Sequence, residues 1–351
     1  MVFKDAYALL FERRDAMNDR ISDLFLERER ETLSEFAFLT ENTKGRDKPQ
    51  EPCRIRTEFQ RDRDRIIHSS AFRRLMHKTQ VFLLPQDELY RTRMTHTLEV
   101  TQIARIIARA LRLNEDLTEA AALGHDLGHT PFGHAGEAVM RKCFSPRFSH
   151  AAQSVRVVEK LEKNGEGLNL TVEVRDGMLN HSGTDMASTL EGVIVKFADR
   201  IAYINHDIDD ACRAGILALE DIPRPLLDTL GVRHSERINN MVLSVIRASE
   251  GKNSICMTDD VAQATDELRG FLFRNVYTNP KAKGEEEKAK ALLEQLFDYF
   301  VCHPDALPAP YDKIMDEEGV PRGVCDYVSS MTDRYAIDLF TKLFVPSVWK
   351  G

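Results

Sequence analysis

Three histidines, an aspartate and a glutamate fall between Gly124 and Glu137 in GHDLGHTPFGHAGE, directly after the apolar run Ala120–Leu123. Imidazoles and carboxylates bind divalent metals and move protons near neutral pH, so their clustering beside a buried run points to metal or acid–base chemistry. His125 and Asp126 are adjacent at a helix end, and their side chains leave the axis about 100° apart. Both reach one point only if it lies between this helix and its neighbours. His96, early in one neighbouring helix, and Asp199, midway along another, are the candidates to complete it. An ionised Asp199 beside Val195 and Ala198 is costly unless it meets a cation or strong donors. Two imidazoles and two carboxylates make a mixed nitrogen–oxygen set for a divalent ion, with positions open to water and substrate. Such a set suits Mn, Mg, Fe or Co better than a closed structural zinc site, which favours thiolates. Each residue also has a plainer use: His96 as a partly exposed polar group, His125–Asp126 as a cap or buried hydrogen bond, Asp199 as the partner of Arg200.

The elements that must position these groups are helical. Helical period runs through almost every long segment, and alternating runs are nearly absent. HTLEVTQIARIIARALRL predicts an amphipathic helix starting near Thr95 as N-cap, with Ile103, Ile106, Ile107, Ala110 and Leu111 on one face. DLTEAAALGHDLGH reads as a mostly buried helix ending at its glycines. SHAAQSVRVVEKLEKNG opens on Ser149 as a cap and closes at Asn164-Gly165. TLEGVIVKFADRIAYINHDIDDACRAG predicts a long helix stopping at Gly215, and EEEKAKALLEQLFDYF one with acids in its first turn, as the helix dipole favours. LNLTVEV alternates like a strand, yet TVEVRDGMLNH has helical spacing, and helix is the expectation. ENTKGRDKPQEP is expected as a loop or arm, NPKAKGEEEKAK as a charged connector and CHPDALPAPYD as a proline-rich turn. No internal repeat is present. The expected fold class is all-α, one domain with a peripheral arm and tail.

With 351 residues, 42% of them apolar, the chain can bury a sizeable core. A net charge of -8 argues against broad coating of nucleic acid, though a local basic patch can survive within it. The six cysteines (Cys53, Cys143, Cys212, Cys256, Cys302 and Cys325) form no C-x-x-C pair, which favours reduced thiols over a disulfide frame or zinc knuckle. MVFKDAYALLFERRD has charges on both sides of its short apolar run, unlike a signal peptide. No stretch approaches the roughly eighteen apolar residues of a transmembrane helix. A cytoplasmic protein without a membrane partner is expected. The arginine-rich block from Arg54 to Arg74 suggests a solvated ion-pair lattice by itself. It could instead bind a polyanion, as substrate or effector, with Lys78 a weaker phosphate candidate nearby.

The pattern H…HD…D, realised as His96, His125-Asp126 and Asp199, resembles the HD superfamily of metal-dependent phosphohydrolases. The blocks FQRDRDRIIHSSAFRRLMHKTQVF, RTRMTHTLEV, GHDLGHTPFGHAGE, LNLTVEVRDGMLNHS, VKFADRIAYINHDIDDA and VCDYVSSMTDRYA resemble, in order, the dGTP triphosphohydrolase-like branch of that superfamily. The resemblance implies an HD-domain helical bundle with an extra N-terminal arm and C-terminal helices. It divides the chain into a charged N-terminal helix or arm, residues 1–52, and an HD-domain phosphohydrolase, residues 53–351, with an integral C-terminal helical extension.

Enzymes of this branch cleave a deoxynucleoside triphosphate (dNTP) at the α-phosphorus, releasing deoxynucleoside and triphosphate. On that pattern His96, His125, Asp126 and Asp199 hold a divalent metal, Mn or Mg first, with Fe, Co, Ni or Zn as alternatives. His134 would give a proton to the leaving 5′-oxygen, Glu137 would orient His134 or share its proton, and His129 would contact the α-phosphate. His150 matches a position beside the active site. Ala151 follows it where the family often has Asn, which puts fine positioning or substrate preference in question but not the metal set. Arg93 resembles a phosphate-contacting arginine, and Gln80 a sugar- or base-contacting glutamine. Tyr203 and Asp207 resemble a sugar-contacting pair, and Tyr277 a ring that excludes a 2′-hydroxyl. Asp199, Tyr203 and Asp207 recur every four residues and so share a helix face. His206 and Asp210 are expected to face solvent or an interface.

The implied partners are a dNTP substrate, a dNTP effector, further copies of the chain as a tetramer or hexamer, and nucleic acid as an effector. No stacking platform of interleaved aromatics supports the last. Two other readings remain open: an HD phosphohydrolase acting on a monophosphate or signalling nucleotide, and a nucleotide sensor without turnover. Similarity outside the HD pattern weighs against the first. The intact metal set with His134 and Glu137 weighs against the second.

Overall fold

Side-chain caps set where several of the helices begin. In the computed structural model, which describes residues 20–80, 90–279 and 284–346, α1 (Ile21–Thr32), α2 (Glu58–Ile67) and α3 (Ser70–Arg74) precede α4 (Arg93–Ala110) and α5 (Glu115–Gly124). After a turn come α6 (His134–Cys143), α7 (His150–Arg156) and α8 (Val172–Leu179), then the long α9 (Leu190–Arg213). α10 (Arg224–Leu230), α11 (His234–Ser249) and α12 (Asp259–Leu272) follow, with α13 (Glu286–Cys302), α14 (Tyr311–Glu318), α15 (Val320–Ser330) and α16 (Asp333–Phe344) last. Among the described residues the β pairing is two isolated bridges, Arg46 with Thr171 and Thr79 with Thr92, so the fold is all-α. The run MVFKDAYALLFERRD and residues 280–283 of the charged connector lie outside the described residues.

The cap of α4 is Thr92, not Thr95. Thr92 Oγ1 accepts from the Thr95 N–H while Thr95 Oγ1 accepts from the Thr92 N–H, a reciprocal box that starts the helix at Arg93. Its buried face is Val100, Ile103, Ala104, Ile107 and Ala108. Ile106 is 46% exposed, and Ala110 is also exposed. Successive residues turn by about 100°, so Ile106 and Ile107 cannot point the same way. Ser149 caps α7 by accepting from the Ala152 N–H, and TVEVRDGMLNH is helical, as α8.

Three apolar clusters meet around the polar turn that follows α5. One joins α4 and α9 to α11 and α12, and one joins α2, α3, α5 and α8. The third packs α6 against α13 and α15. The loop ENTKGRDKPQEP is tied onto this frame: Glu173 accepts from Thr43 Oγ1 (2.6 Å) and the Lys44 N–H (2.9 Å), and the Arg46 guanidinium is buried against Asp62.

Candidate metal centre and catalytic recess

α5 ends at Gly124, and the ring of the next residue folds back so that His125 Nδ1 donates to the Ala122 carbonyl at 2.6 Å. That bond leaves Nε2 as the bare nitrogen, and it is buried with no hydrogen-bond partner among the described residues. Asp199 Oδ1, from the middle of α9, lies 3.1 Å from His96 Nε2 and 4.0 Å from His125 Nε2. Asp126 Oδ1 lies 3.6 Å from His125 Nε2. Ligand atoms of His96, His125 and Asp126 all fall within 4.8 Å of one another. A buried imidazole lone pair beside two carboxylates fits a divalent cation.

Electrostatics support the same grouping. Burial opposes a charge on His96, but the Asp199 carboxylate outweighs it and holds the pKa above the usual value. Burial would raise Asp199, yet His96 brings it down to about 2. Asp126 is likewise held well below the usual carboxylate range against burial, by His125 and by Arg93, whose Nη1 donates to Oδ2 at 2.6 Å. A second cluster, Asp126, His129 and His150, also has ligand atoms within 4.8 Å of one another, and it shares Asp126 with the first.

The turn from His125 to Gly133 passes close to its neighbours. A Cβ on Gly128 would lie 2.1 Å from the Ser154 nitrogen, and one on Gly136 would lie 2.1 Å from the Pro131 carbonyl, so both must be glycine. His129 is buried and stacks on His150 at 4.5 Å between centroids; its Nδ1 has no partner among the described residues. Burial, then Arg93, drives its pKa well below the usual value. His134 opens α6 with its side chain exposed at the rim, 5.9 Å from the His129 ring. Its crowded surroundings, then Arg93, hold it below its usual pKa.

Glu137 is not joined to His134 by a hydrogen bond. Its carboxylate accepts from Arg141 (2.7 Å) and from His150 Nδ1 (3.2 Å). Burial pushes Glu137 up, but His150 and Arg141 bring it down to about 2. The other nitrogen of His150 lies 3.2 Å from Nε2 of His181. Sequence reasoning assigned His181 no role, although it is the penultimate residue of the block LNLTVEVRDGMLNHS. It repeats the His125 arrangement, donating through Nδ1 to the Met178 carbonyl three residues back, and burial, then His125, lowers it to about 3. With Nε2 of His181 bare and Glu137 ionised, the hydrogen bonds are met when His150 carries both ring protons.

Along α9, Tyr203 is half-buried and Asp207 buried. Tyr277 ends an irregular turn, Phe273–Tyr277, that extends α12, and its hydroxyl donates to Asp207 Oδ2. Burial raises Asp207 to about 7, and Oδ1 has no partner among the described residues. Gln80 Oε1 and Arg93 Nε are also buried without such partners.

Three expectations need correction. His206 and Asp210 do not face solvent: His206 Nδ1 lies 3.0 Å from Glu99 Oε2, and Asp210 accepts from Arg91 at 3.0 Å, because α4 and the segment leading into it cover that side of α9. Lys78 is not a free phosphate ligand, since its buried ammonium donates to the His129 and Ser329 carbonyls.

Comparison with known proteins matches an HD domain to residues 93–204 and a phosphohydrolase-associated domain to residues 255–342. A relative from Caldanaerobacter subterraneus subsp. tengcongensis is 54% identical over 330 residues, covering 94% of this chain and 97% of its own. One from Desulfatibacillum aliphaticivorans is 49% identical, covering 93% and 99%. Both are named deoxyguanosinetriphosphate triphosphohydrolase-like protein.

Proposed function

Because this chain belongs to the deoxyguanosinetriphosphate triphosphohydrolase-like branch of HD-domain phosphohydrolases, we propose that it hydrolyses dNTPs at the α-phosphorus, yielding deoxynucleoside and triphosphate. The observation that carries this reading is the convergence of His96, His125, Asp126 and Asp199 next to a wall of Arg93, His129 and His134. A divalent metal held by those four residues supplies charge neutralisation for attack at phosphorus.

Arg93 and His129 bind the α-phosphate oxygens, the former as a fixed cation and the latter as a neutral donor. His134 stands at the rim, where the 5′-oxygen leaves, and delivers the proton. The bound polyanion raises its pKa, which the free protein holds low. Glu137 and His181 clamp His150 from either side and fix the imidazole stacked on His129. Tyr203 and Asp207, one and two turns beyond Asp199, receive the deoxyribose. Asp207 accepts from the 3′-hydroxyl, and Tyr277, bonded to it, closes the space where a 2′-hydroxyl would sit.

Product analysis tests the reading. The protein with Mn or Mg is given each dNTP singly and all four mixed. Deoxynucleoside with intact triphosphate is expected, and activity confined to mixtures would add an effector requirement. Monophosphate with pyrophosphate would move cleavage to another bond and refute it. Nucleotide binding without turnover would leave a sensor.

A further inference from the structure

The histidine-bearing turn is held from far away in the chain. Asp333, at the first position of α16, is buried and its two oxygens face donors from two different segments. Oδ2 accepts from the Thr79 N–H (2.9 Å) and from the Thr79 hydroxyl; Oδ1 accepts from the Phe132 N–H at 2.9 Å. Just before α16, the Ser329 carbonyl accepts from Lys78 Nζ at 2.9 Å, and the same ammonium donates to the His129 carbonyl. The two contacts are complementary: an acceptor from α16 collects N–H and O–H groups, while a donor from the Lys78–Thr79 segment collects carbonyls.

Both gripped segments lead into the recess. The Lys78 carbonyl accepts from the Arg93 N–H at 3.2 Å, and Thr79 bridges Thr92, so this segment is fixed to the start of the helix that carries Arg93 and His96. Phe132 lies between His129 and His134 and has φ of 60°, a left-handed conformation that disfavours a bulky side chain. Gly133, the N-cap of α6, follows at φ 57°. A strained turn of this kind persists only where its surroundings over-determine it. The Phe132 N–H bond to Asp333 supplies that constraint two residues before His134.

We propose that Asp333 is a positioning residue for hydrolysis: from the C-terminal region it locks the Phe132–Gly133 turn and the Lys78–Thr79 segment together, and so sets the placement of His129 and His134. Only a group that is acceptor on both oxygens satisfies all three donors. In Asp333→Asn the amide NH2 must oppose one backbone N–H, releasing one segment, and Asp333→Ala releases both. None of these bonds is made by His96, His125, Asp126 or Asp199, so Mn content reads separately whether the metal set survives their loss.

The kinetic half of this inference rests on the proposed dNTP hydrolysis; the structural half does not, and the test separates them. Hydrogen exchange is followed by mass spectrometry in peptides covering 75–80 and 128–134, alongside Mn stoichiometry and kcat and KM. The control is Leu230→Ala, a buried truncation in α10 whose apolar cluster contains no residue of either segment. Asp333→Ala is expected to lose protection in both peptides and Asp333→Asn in at least one, with Mn content retained. For either, kcat falls by up to about 100-fold, with KM within about threefold, the scale on which a misplacement of about 1 Å acts. Leu230→Ala is expected to lower stability but keep wild-type protection and kcat. Unchanged protection in both Asp333 variants, or an equal loss in Leu230→Ala, would overturn the proposal. If Asp333→Ala does not fold, Thr79→Val removes one hydroxyl bond, and unchanged exchange at 75–80 in it together with unchanged exchange in both peptides of Asp333→Asn overturns it equally. A wild-type protein inert towards dNTPs would refute the functional reading and leave the exchange result to decide the inference.

Discussion

The arginine-rich block and the histidine recess read alike in the sequence, as charge gathered where a polyanion could bind, and they fold to opposite outcomes. In the block the protein supplies the partners. Arg56 meets Asp64 and Arg61 meets Glu58, each at 2.7 Å; Arg63 reaches Asp116 and Glu119; Arg65 donates to the Leu168 and Asn169 carbonyls. Arg46 from the preceding loop is buried against Asp62 and Glu58. A cavity of about 320 Å³ opens beside Arg56, Arg61 and Arg65, but those guanidinium groups are already engaged. In the recess, His125 Nε2, His129 Nδ1 and Arg93 Nε are buried without partners among the described residues. Density of charge marks both regions. Unmet hydrogen-bonding capacity inside the protein distinguishes the one suited to a ligand.

The contrast breaks most sharply at Asp126. Asp126→Ala removes a proposed metal ligand and the partner of Arg93, so metal binding by mass spectrometry and dNTP turnover should both vanish while far-UV circular dichroism keeps the helical signal. Retained metal would show that the recess is satisfied in some other way. His134→Ala, at the exposed rim, should keep the metal and lose about 10²- to 10⁴-fold in kcat, the range general acid catalysis supplies; equal activity would remove its role as acid. Arg46→Ala should do the reverse. It strands buried Asp62, costing about 3–5 kcal/mol in urea unfolding, with kcat of the folded fraction unchanged.

Smaller effects sharpen the comparison. Glu137 has its pKa lowered to about 2 from an ordinary 4.5, so its contribution to stability is complete above about pH 4.5 and is lost as pH falls towards 2. The urea-midpoint gap between wild type and Glu137→Gln should therefore narrow over that window; a constant gap would show that the His150 and Arg141 contacts do not stabilise the anion. Least affected should be Arg56→Ala, whose half-exposed pair with Asp64 is worth less than about 1 kcal/mol. A drop in turnover there would mean that the block serves the substrate after all.

Helix positions were largely legible because period and capping chemistry are local properties. Even so, Thr92 and Thr95 are both good caps, and only the direction of the entering chain selected Thr92. Ile106 fell off the buried face because the sequence shows that a face exists but not where its centre lies. His206 and Asp210 looked solvent-facing on a single helix, where nothing indicates that a neighbour covers them. His181 carried a weak signal, a histidine at an apolar helix end like His125, and its meaning depended on His150 arriving opposite.

What the sequence determined by itself is the inventory and the local spacing: an all-α chain, an imidazole and a carboxylate side by side at the end of a buried helix, and three polar groups in register along α9. Partner choice was decided only by the tertiary structure. Glu137 went to His150 and Arg141 rather than His134, Lys78 to two carbonyls rather than phosphate, and Asp333 to a threonine 254 residues away. The reason is physical: a helix fixes geometry over a few residues, whereas a buried charge takes whichever partner the packing of distant segments brings within about 3 Å.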